Sequence, residues 1–402
     1  MSARKLFVAA SAMLGLALGM SGAAAQQQHD PGASDAEIKI GNIMPYSGPA
    51  SAYGVIGRVE AAYFRMINDA GGINGRKIRF ISLDDGYNPG KTFEVARRLV
   101  EQERVLLLFN CLGTPTNSAI HKYMNASKVP QLFVAAGASK WGDPKHYPWT
   151  MGGQPSYQTE GRVYARHILK TRPDARIGVL YQNDDYGKDY LKGFREGLGD
   201  KDGAIVSAVS YEVTDPTIDS QIIELKASGA DVFFDIATPK FAALAIRKAY
   251  DIGWHPVHYL NSVSNSIGSV LTPAGPDKAV GLYSAAYLKD PVDPRWRNDA
   301  GIKAWRAFMS KYYPEGSQSD YLNVYGYAAA QLLVQVLRQA GDTLTRDNIM
   351  KQAANLRNVQ LDVALPGVIV NTSPSDYSPF ESLQLEQFNG KQWVLLGGVI
   401  GE

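Results

Sequence analysis

The sequence predicts an α/β protein of two similar lobes, each built on a doubly wound parallel sheet. Three observations carry this prediction. Apolar runs of strand length alternate with segments of helical spacing from residue 38 to residue 288. Those runs are continuous, as expected for parallel strands buried on both faces and covered by right-handed crossover helices. Nine such runs exceed one compact sheet, and at roughly 100 to 200 residues per domain a chain of 402 residues divides economically into two units.

After a polar stretch over 26–36, strands are expected at 38–44, 77–83, 105–110, 131–136, 176–181, 204–211, 231–237, 257–260 and 281–286. Helical spacing occupies 53–69, 90–103, 116–126, 157–170, 187–198, 217–228 and 239–252. Asn68-Asp69-Ala70-Gly71-Gly72 closes the first helix, and Asn74-Gly75 turns the chain into the next strand. The stretch 149–155, Trp-Thr-Met-Gly-Gly-Gln-Pro, reads as a break between the two units. Beyond Leu288 the pattern changes to helices near 299–312, 320–340 and 345–355. A tail rich in Pro, Gly, Ser and Asn follows, with strands at 383–388 and 392–399 joined by a hairpin at Asn389-Gly390.

The first 25 residues have the form of a secretory signal peptide. Arg4-Lys5 precedes an apolar run over 6–20, too short to span a bilayer comfortably, and small residues end in Ala23-Ala24-Ala25. Cleavage after Ala25 would leave Gln26 first, with no lipidation cysteine, and an exported, released protein is expected. The chain holds 41 Lys plus Arg against 39 Asp plus Glu, and losing Arg4 and Lys5 with the leader brings it to balance. With no basic stripe, nucleic acid is not an expected partner. Cys111, the only cysteine, can form neither an internal disulfide nor a cysteine-cluster metal site.

No motif in the chain requires catalysis. Gly48, Gly54 and Gly57 have the wrong spacing for a dinucleotide fingerprint, and neither a nucleophile elbow nor a phosphate loop occurs. His255 and His258 are close, but Pro256 between them argues for polar surface beside a strand rather than a metal pair. Asp84-Asp85 at a strand end reads as a pair capping backbone donors or flanking a hinge. Neither an enzyme, nor a metal, nor a cofactor is expected.

What remains is a cleft, since ligands of open α/β sheets bind beyond the carboxyl ends of the strands. The third strand runs into Leu112-Gly113-Thr114-Pro115, with Thr114 as expected N-cap and Pro115 in the first helical turn. Helix-end N–H groups and hydroxyls make this a natural carboxylate site. The fourth strand ends in Ala135-Ala136-Gly137-Ala138-Ser139, small residues that allow close approach and offer Ser139 as a donor. Tyr53, Tyr157, Tyr186, Tyr325 and Tyr327 recur at strand-end or helix positions suited to cleft walls.

These residues, in this order, resemble the periplasmic Leu/Ile/Val-binding protein family, the type I solute-binding components of ABC importers. The resemblance rests on IGNIMPYSGPASAYG at 40–54, NDAGGINGR at 68–76, Asp84-Asp85 near Pro89, the loop 110–117, Ala135 to Ser139 and Asn183-Asp184-Asp185-Tyr186-Gly187. It covers essentially the whole mature chain. It implies a type I periplasmic binding protein fold, two Rossmann-like lobes with three inter-lobe crossings near 153–156, 282–285 and 362–366. One lobe would comprise 36–153 plus 285–362 and the other 156–282 plus 366–402.

Carried over residue by residue, the resemblance implies that Tyr53 and Leu112 to Thr114 line the N-lobe site. Ala136, Ala138 and Ser139 would complete a carboxylate pocket, with Tyr186 from the other lobe. Val263 stands where amino-acid binders of the family place a glutamate against the ligand's ammonium, and Ala237 replaces a second-lobe tyrosine. The expected ligand is therefore a small carboxylate without an α-ammonium, aromatic or aliphatic, because an ammonium lacking a carboxylate partner is poorly compensated in a dry cleft. Asp235 could replace the missing glutamate, which keeps branched-chain amino acids as an alternative. A sensory receptor module that does not transport is another. The resemblance further implies hinge closure, an inner-membrane ABC permease as partner, and a monomer.

Overall fold

The computed structural model describes residues 29–401. The predicted leader lies outside the described residues. Two sheets organise the chain. The first has the order β2-β1-β3-β4-β5, all parallel, from β1 (Glu37–Met44), β2 (Lys77–Asp84), β3 (Leu107–Phe109), β4 (Gln131–Val134) and β5 (Thr150–Gly152). Its crossovers are the helices α1 (Gly54–Asp69), α2 (Pro89–Arg97) and α3 (Thr114–Ala126). The second runs β12-β11-β10-β9-β8-β6-β7. Its parallel part comprises β6 (Ile177–Gln182), β7 (Ile205–Tyr211), β8 (Val232–Ile236), β9 (Val257–Leu260) and β10 (Tyr283–Ala286). The helices α4 (Tyr157–Thr171), α5 (Asp185–Leu198), α6 (Asp219–Ala227) and α7 (Pro239–Asp251) alternate with these strands.

A single turn, α8 (Thr272–Ala274), precedes β10, and α9 (Ala300–Tyr312), α10 (Tyr321–Ala340) and α11 (Arg346–Ala353) follow it. Helix α10 is buried nearly all round and packs against α1 and α11, so these later helices return to the first sheet's side. The tail rejoins the second sheet as β11 (Ser382–Phe388), antiparallel to β10 and to β12 (Trp393–Leu395), with β13 (Ile400–Gly401) also on β11. Asn389-Gly390 makes the expected hairpin turn, Gly390 taking φ 92°. Among the described residues no helix is long and apolar enough to cross a membrane.

Two local departures from the sequence reading have physical causes. The strand expected over 105–110 is a ladder only at Leu107–Phe109, because Asn110 turns to φ 48° and leaves the extended region. The stretch 149–155, expected as a break, contains the edge strand Thr150–Gly152. Three residues are too few to show a period, and only pairing with β4 makes them a strand.

Candidate functional site

The carboxyl ends of strands from both sheets converge on one cavity with about 640 Å³ of empty space, part of it open to solvent. From the first sheet, β3 leads through Leu112 and Gly113 to Thr114 at the start of α3. The Leu112 amide is held by the Ile43 carbonyl (3.0 Å) and the Gly113 amide by the Ala135 carbonyl (3.2 Å). Gly113, not Thr114, is the N-cap of α3. It sits at φ 97°, and a Cβ there would lie 2.5 Å from the Tyr87 ring. Thr114 is consequently the first helical residue, and its buried Oγ1 has no hydrogen-bond partner. The first N–H groups of α3 have no intrahelical acceptor and give this end of the cavity a partial positive charge.

Tyr53 reaches from the turn before α1 and donates to the Val263 carbonyl on the second sheet's side (3.1 Å). Tyr325 on α10 accepts from Asn110 Nδ2 (2.8 Å), a buried amide whose Nδ2 also donates to the Phe133 carbonyl (2.7 Å). Tyr157 and Tyr186 meet edge to face, ring centroids 5.4 Å apart, and both line the cavity. Desolvation pushes the hydroxyls of Tyr53, Tyr157, Tyr186 and Tyr325 above the ordinary tyrosine range, so they act as neutral hydrogen-bonding groups.

Behind the second sheet's wall lies Glu160 on α4, 1% exposed. Its Oε1 accepts from the Ser262 amide (2.7 Å) and Tyr164 Oη (2.7 Å), its Oε2 from Ser262 Oγ (2.6 Å) and Tyr190 Oη (2.9 Å). Burial raises its carboxyl while these four donors lower it. This acid fixes the short loop Ser262–Ser264, whose Ser262 and Val263 line the cavity.

The structure brings Tyr53, Leu112, Gly113, Thr114, Tyr157, Tyr186, Val263 and Tyr325 together around this cavity. It places Ala136, Ala138 and Ser139 on a smaller neighbouring cavity instead. The reason is Asp189 on α5, whose carboxylate takes the Ser139 amide (2.9 Å) and hydroxyl (2.6 Å) together with Gln158 Nε2 (2.7 Å). Asp235 lies fully buried in β8, where it accepts from His258 Nε2 (3.3 Å) and does not line the cavity. Tyr327 turns away to pack on Tyr63 and Phe308.

Sequence reasoning did not single out Tyr87, Gln154, Thr238, Ser262, Tyr287 or Tyr321, all of which line the cavity. Thr238 directly follows Ala237 beyond β8, so the strand-end rule could have found it. Tyr87 could not be found, because it follows an aspartate pair used for structure. Asp84 accepts from the Tyr46 and Ser47 amides and Ser47 Oγ, which more than offset its desolvation and hold its carboxyl low. Asp85 caps Tyr87 N (2.9 Å) and Thr92 Oγ1 (2.8 Å).

Two α/β lobes that meet over an uncharged cavity at their strand ends define a two-lobed ligand-binding protein. The model of the family described as periplasmic binding protein matches residues 37–389, most of the chain, and the chain belongs to that family. The Leu/Ile/Val-binding protein homolog 1 of Brucella abortus (strain 2308) is 25% identical over 356 residues, covering 84% of this chain and 91% of the relative. Homolog 7 from the same strain is 23% identical over 315 residues, 76% of this chain and 78% of its own length. These relatives support the family resemblance read from the sequence.

Among solved structures, a branched-chain amino acid ABC transporter protein from Thermus thermophilus with bound valine superimposes with a TM-score of 0.83. It is 15% identical, and the match covers 92% of this chain and 98% of that one. A fatty acid ABC transporter substrate-binding protein from Thermomonospora curvata gives 0.78 at 21% identity over 93% and 95% of the two chains. The chain thus has the substrate-binding fold of branched-chain amino acid ABC transporters, in an extracytoplasmic family of binding proteins rather than enzymes.

Proposed function

We propose that the protein is the secreted solute-binding component of an ABC importer and captures a small carboxylate without an α-ammonium, aromatic or aliphatic. One observation carries this reading. The cavity is lined by seven tyrosines, hydroxyls, apolar side chains and the α3 N-terminus, with no Asp, Glu, Lys or Arg in its wall. A carboxylate can be met by helix-end N–H groups and by Thr114 and Tyr325 hydroxyls without a cation. An ammonium would have no carboxylate partner there. The fatty acid transporter protein of the same fold supports a non-amino-acid ligand in this architecture. Asp235, buried against His258, does not favour the amino-acid alternative.

In this reading the lobes are 36–153 with 285–362 and 156–282 with 366–402. They hinge at crossings near 153–156, 282–285 and 362–366, and the solute selects the closed state for an inner-membrane permease. The leader over 1–25 directs export, and the protein acts as a monomer. A thermal-shift panel of leucine, isoleucine, valine, benzoate-type and cinnamate-type acids and short fatty acids tests the reading. Stabilisation by one of the acids is expected, and stabilisation by the branched-chain amino acids alone would sink it.

A further inference from the structure

We infer that the solute carries an uncharged hydrogen-bond donor, a hydroxyl, at the end of the molecule facing the second sheet's lobe. The inference rests on the carboxylate reading above and deepens it to a hydroxy-substituted carboxylic acid. It follows from where the protons of the cavity's hydroxyls point. A hydroxyl has one proton and two lone pairs, so a hydroxyl that donates to the protein can only accept from a ligand.

Around the loop Ser262–Ser264, on the second sheet's side, four hydroxyl protons are committed. Ser262 Oγ donates to Glu160 Oε2 (2.6 Å), an acid that already receives two donors on each oxygen and lies behind the wall. Asn261 Nδ2 donates to the Asp235 and Ala237 carbonyls (3.2 and 3.1 Å), which turns Asn261 Oδ1 to accept from Tyr186 Oη. Thr238 Oγ1 donates to Gln182 Oε1 (3.3 Å). Tyr53 Oη, facing the same loop, donates to the Val263 carbonyl. Four cavity hydroxyls therefore present lone pairs only.

The first sheet's side is the reverse. Tyr325 Oη already accepts from Asn110, so its proton is available, and Thr114 Oγ1 is buried without a partner beside the α3 N-terminus. The α3 N-terminus with Thr114 and Tyr325 offers donors that suit a carboxylate, while the hydroxyls around Ser262–Ser264 offer only acceptors and need a donor; Gln154 Oε1 and Tyr321 Oη, also on the wall, are left unpaired by the protein. No acid lines the accepting end, so a neutral hydroxyl matches it and a cation does not.

Calorimetric titration of the mature protein with benzoate, the three hydroxybenzoates, their methyl ethers and 4-hydroxybenzyl alcohol tests the inference. One hydroxy acid is expected to bind at least about tenfold more tightly than benzoate, with its methyl ether losing that gain, since sites built around a ligand hydroxyl reject analogues lacking it. Ser262→Ala, and independently Tyr53→Phe, should shrink the gain to under about threefold, read as the ratio of hydroxy-acid to benzoate affinity within the same variant, whatever each change does to benzoate binding itself. A hydroxyl that adds nothing, or an ether that binds equally well, overturns the inference while leaving the carboxylate reading intact. Binding of the alcohol but of no acid, with the same Ser262 dependence, overturns the carboxylate reading alone. No binding by any member, nor by short fatty acids and their hydroxy derivatives titrated beside them, overturns both.

Discussion

Glu160 shapes the cavity without touching it, because every donor it receives belongs to the wall or its support. Replacing it by Ala leaves the Ser262 amide and hydroxyl and the Tyr190 hydroxyl buried without an acceptor, while Tyr164 keeps the Leu260 carbonyl (3.2 Å). Glu160→Ala is expected to lose about 2–4 kcal/mol in denaturant titrations, since each buried donor left unsatisfied costs about 1–3 kcal/mol and the loop can relax in part. Asp290 acts in the opposite sense. Burial pushes its carboxyl up to about 7, opposed by the Val292 amide (2.7 Å) and assisted by Asp293. An unfolded Asp titrates at about 3.9, so between about pH 4 and 7 the unfolded chain releases a proton that the folded chain keeps, and stability falls as pH rises. Holding the proton to so much higher a pH costs the folded state about 4 kcal/mol once the solution is well above neutrality. Asp290→Asn should therefore match the parent at pH 4 and exceed it at pH 8; parallel pH profiles would exclude this role.

At this scale sequence reading identified groups better than partners. Tyr53, Thr114 and Val263 were legible from their places at strand ends and in the resemblance. Ser139 has the chemistry of a carboxylate donor, and it does bind one, but the carboxylate belongs to Asp189, 50 residues along the chain. Asp235 was ambiguous because a strand's sequence does not say which buried neighbour, here His258 on β9, faces it. Both outcomes depend on contacts between segments distant in sequence.

Among the elements, α4 and α5 pack closely and each places a tyrosine, Tyr157 and Tyr186, on the cavity wall. Tyr157 opens α4 and stacks on Tyr190 of α5, ring centroids 4.3 Å apart. The close approach depends on Gly193, where a Cβ would fall 2.2 Å from the Gln158 Cα and carbonyl oxygen. Gly193→Ala should push the helices apart, lower stability by about 1–3 kcal/mol in thermal denaturation and weaken ligand binding. An unchanged melting temperature would show that the backbones have room to yield. The helices were readable from their 3.6-residue period, but the tightness of their contact was not, since a glycine on a helix face has the same sequence signature whether or not a neighbour presses on it.

For the whole molecule, the lobes meet through polar contacts at the rim. Lys140 pairs with Asp185 (2.5 Å), Ser139 with Asp189, and Tyr53 with the Val263 carbonyl. The Lys140 pair is solvent-exposed and screened, so the better protected Asp189 contacts hold the two lobes together more strongly. Asp189→Ala should shift the free protein toward open forms, increasing its radius in small-angle scattering and raising the ligand Kd, because the closed population falls. A ligand-free radius identical to the parent would show that closure does not depend on this contact.

The sequence by itself determined the alternation of strands and helices, the strand ends that form a site and the absence of catalytic motifs. These are properties of local periodicity and of residue type at short spacing. Tertiary structure decided which strand-end residues share one cavity, that Asp189 rather than a solute occupies Ser139, and which way the hydroxyls of Tyr53, Tyr186, Thr238 and Ser262 point. Those outcomes depend on distances between segments that lie far apart in the chain, and no local pattern encodes a distance.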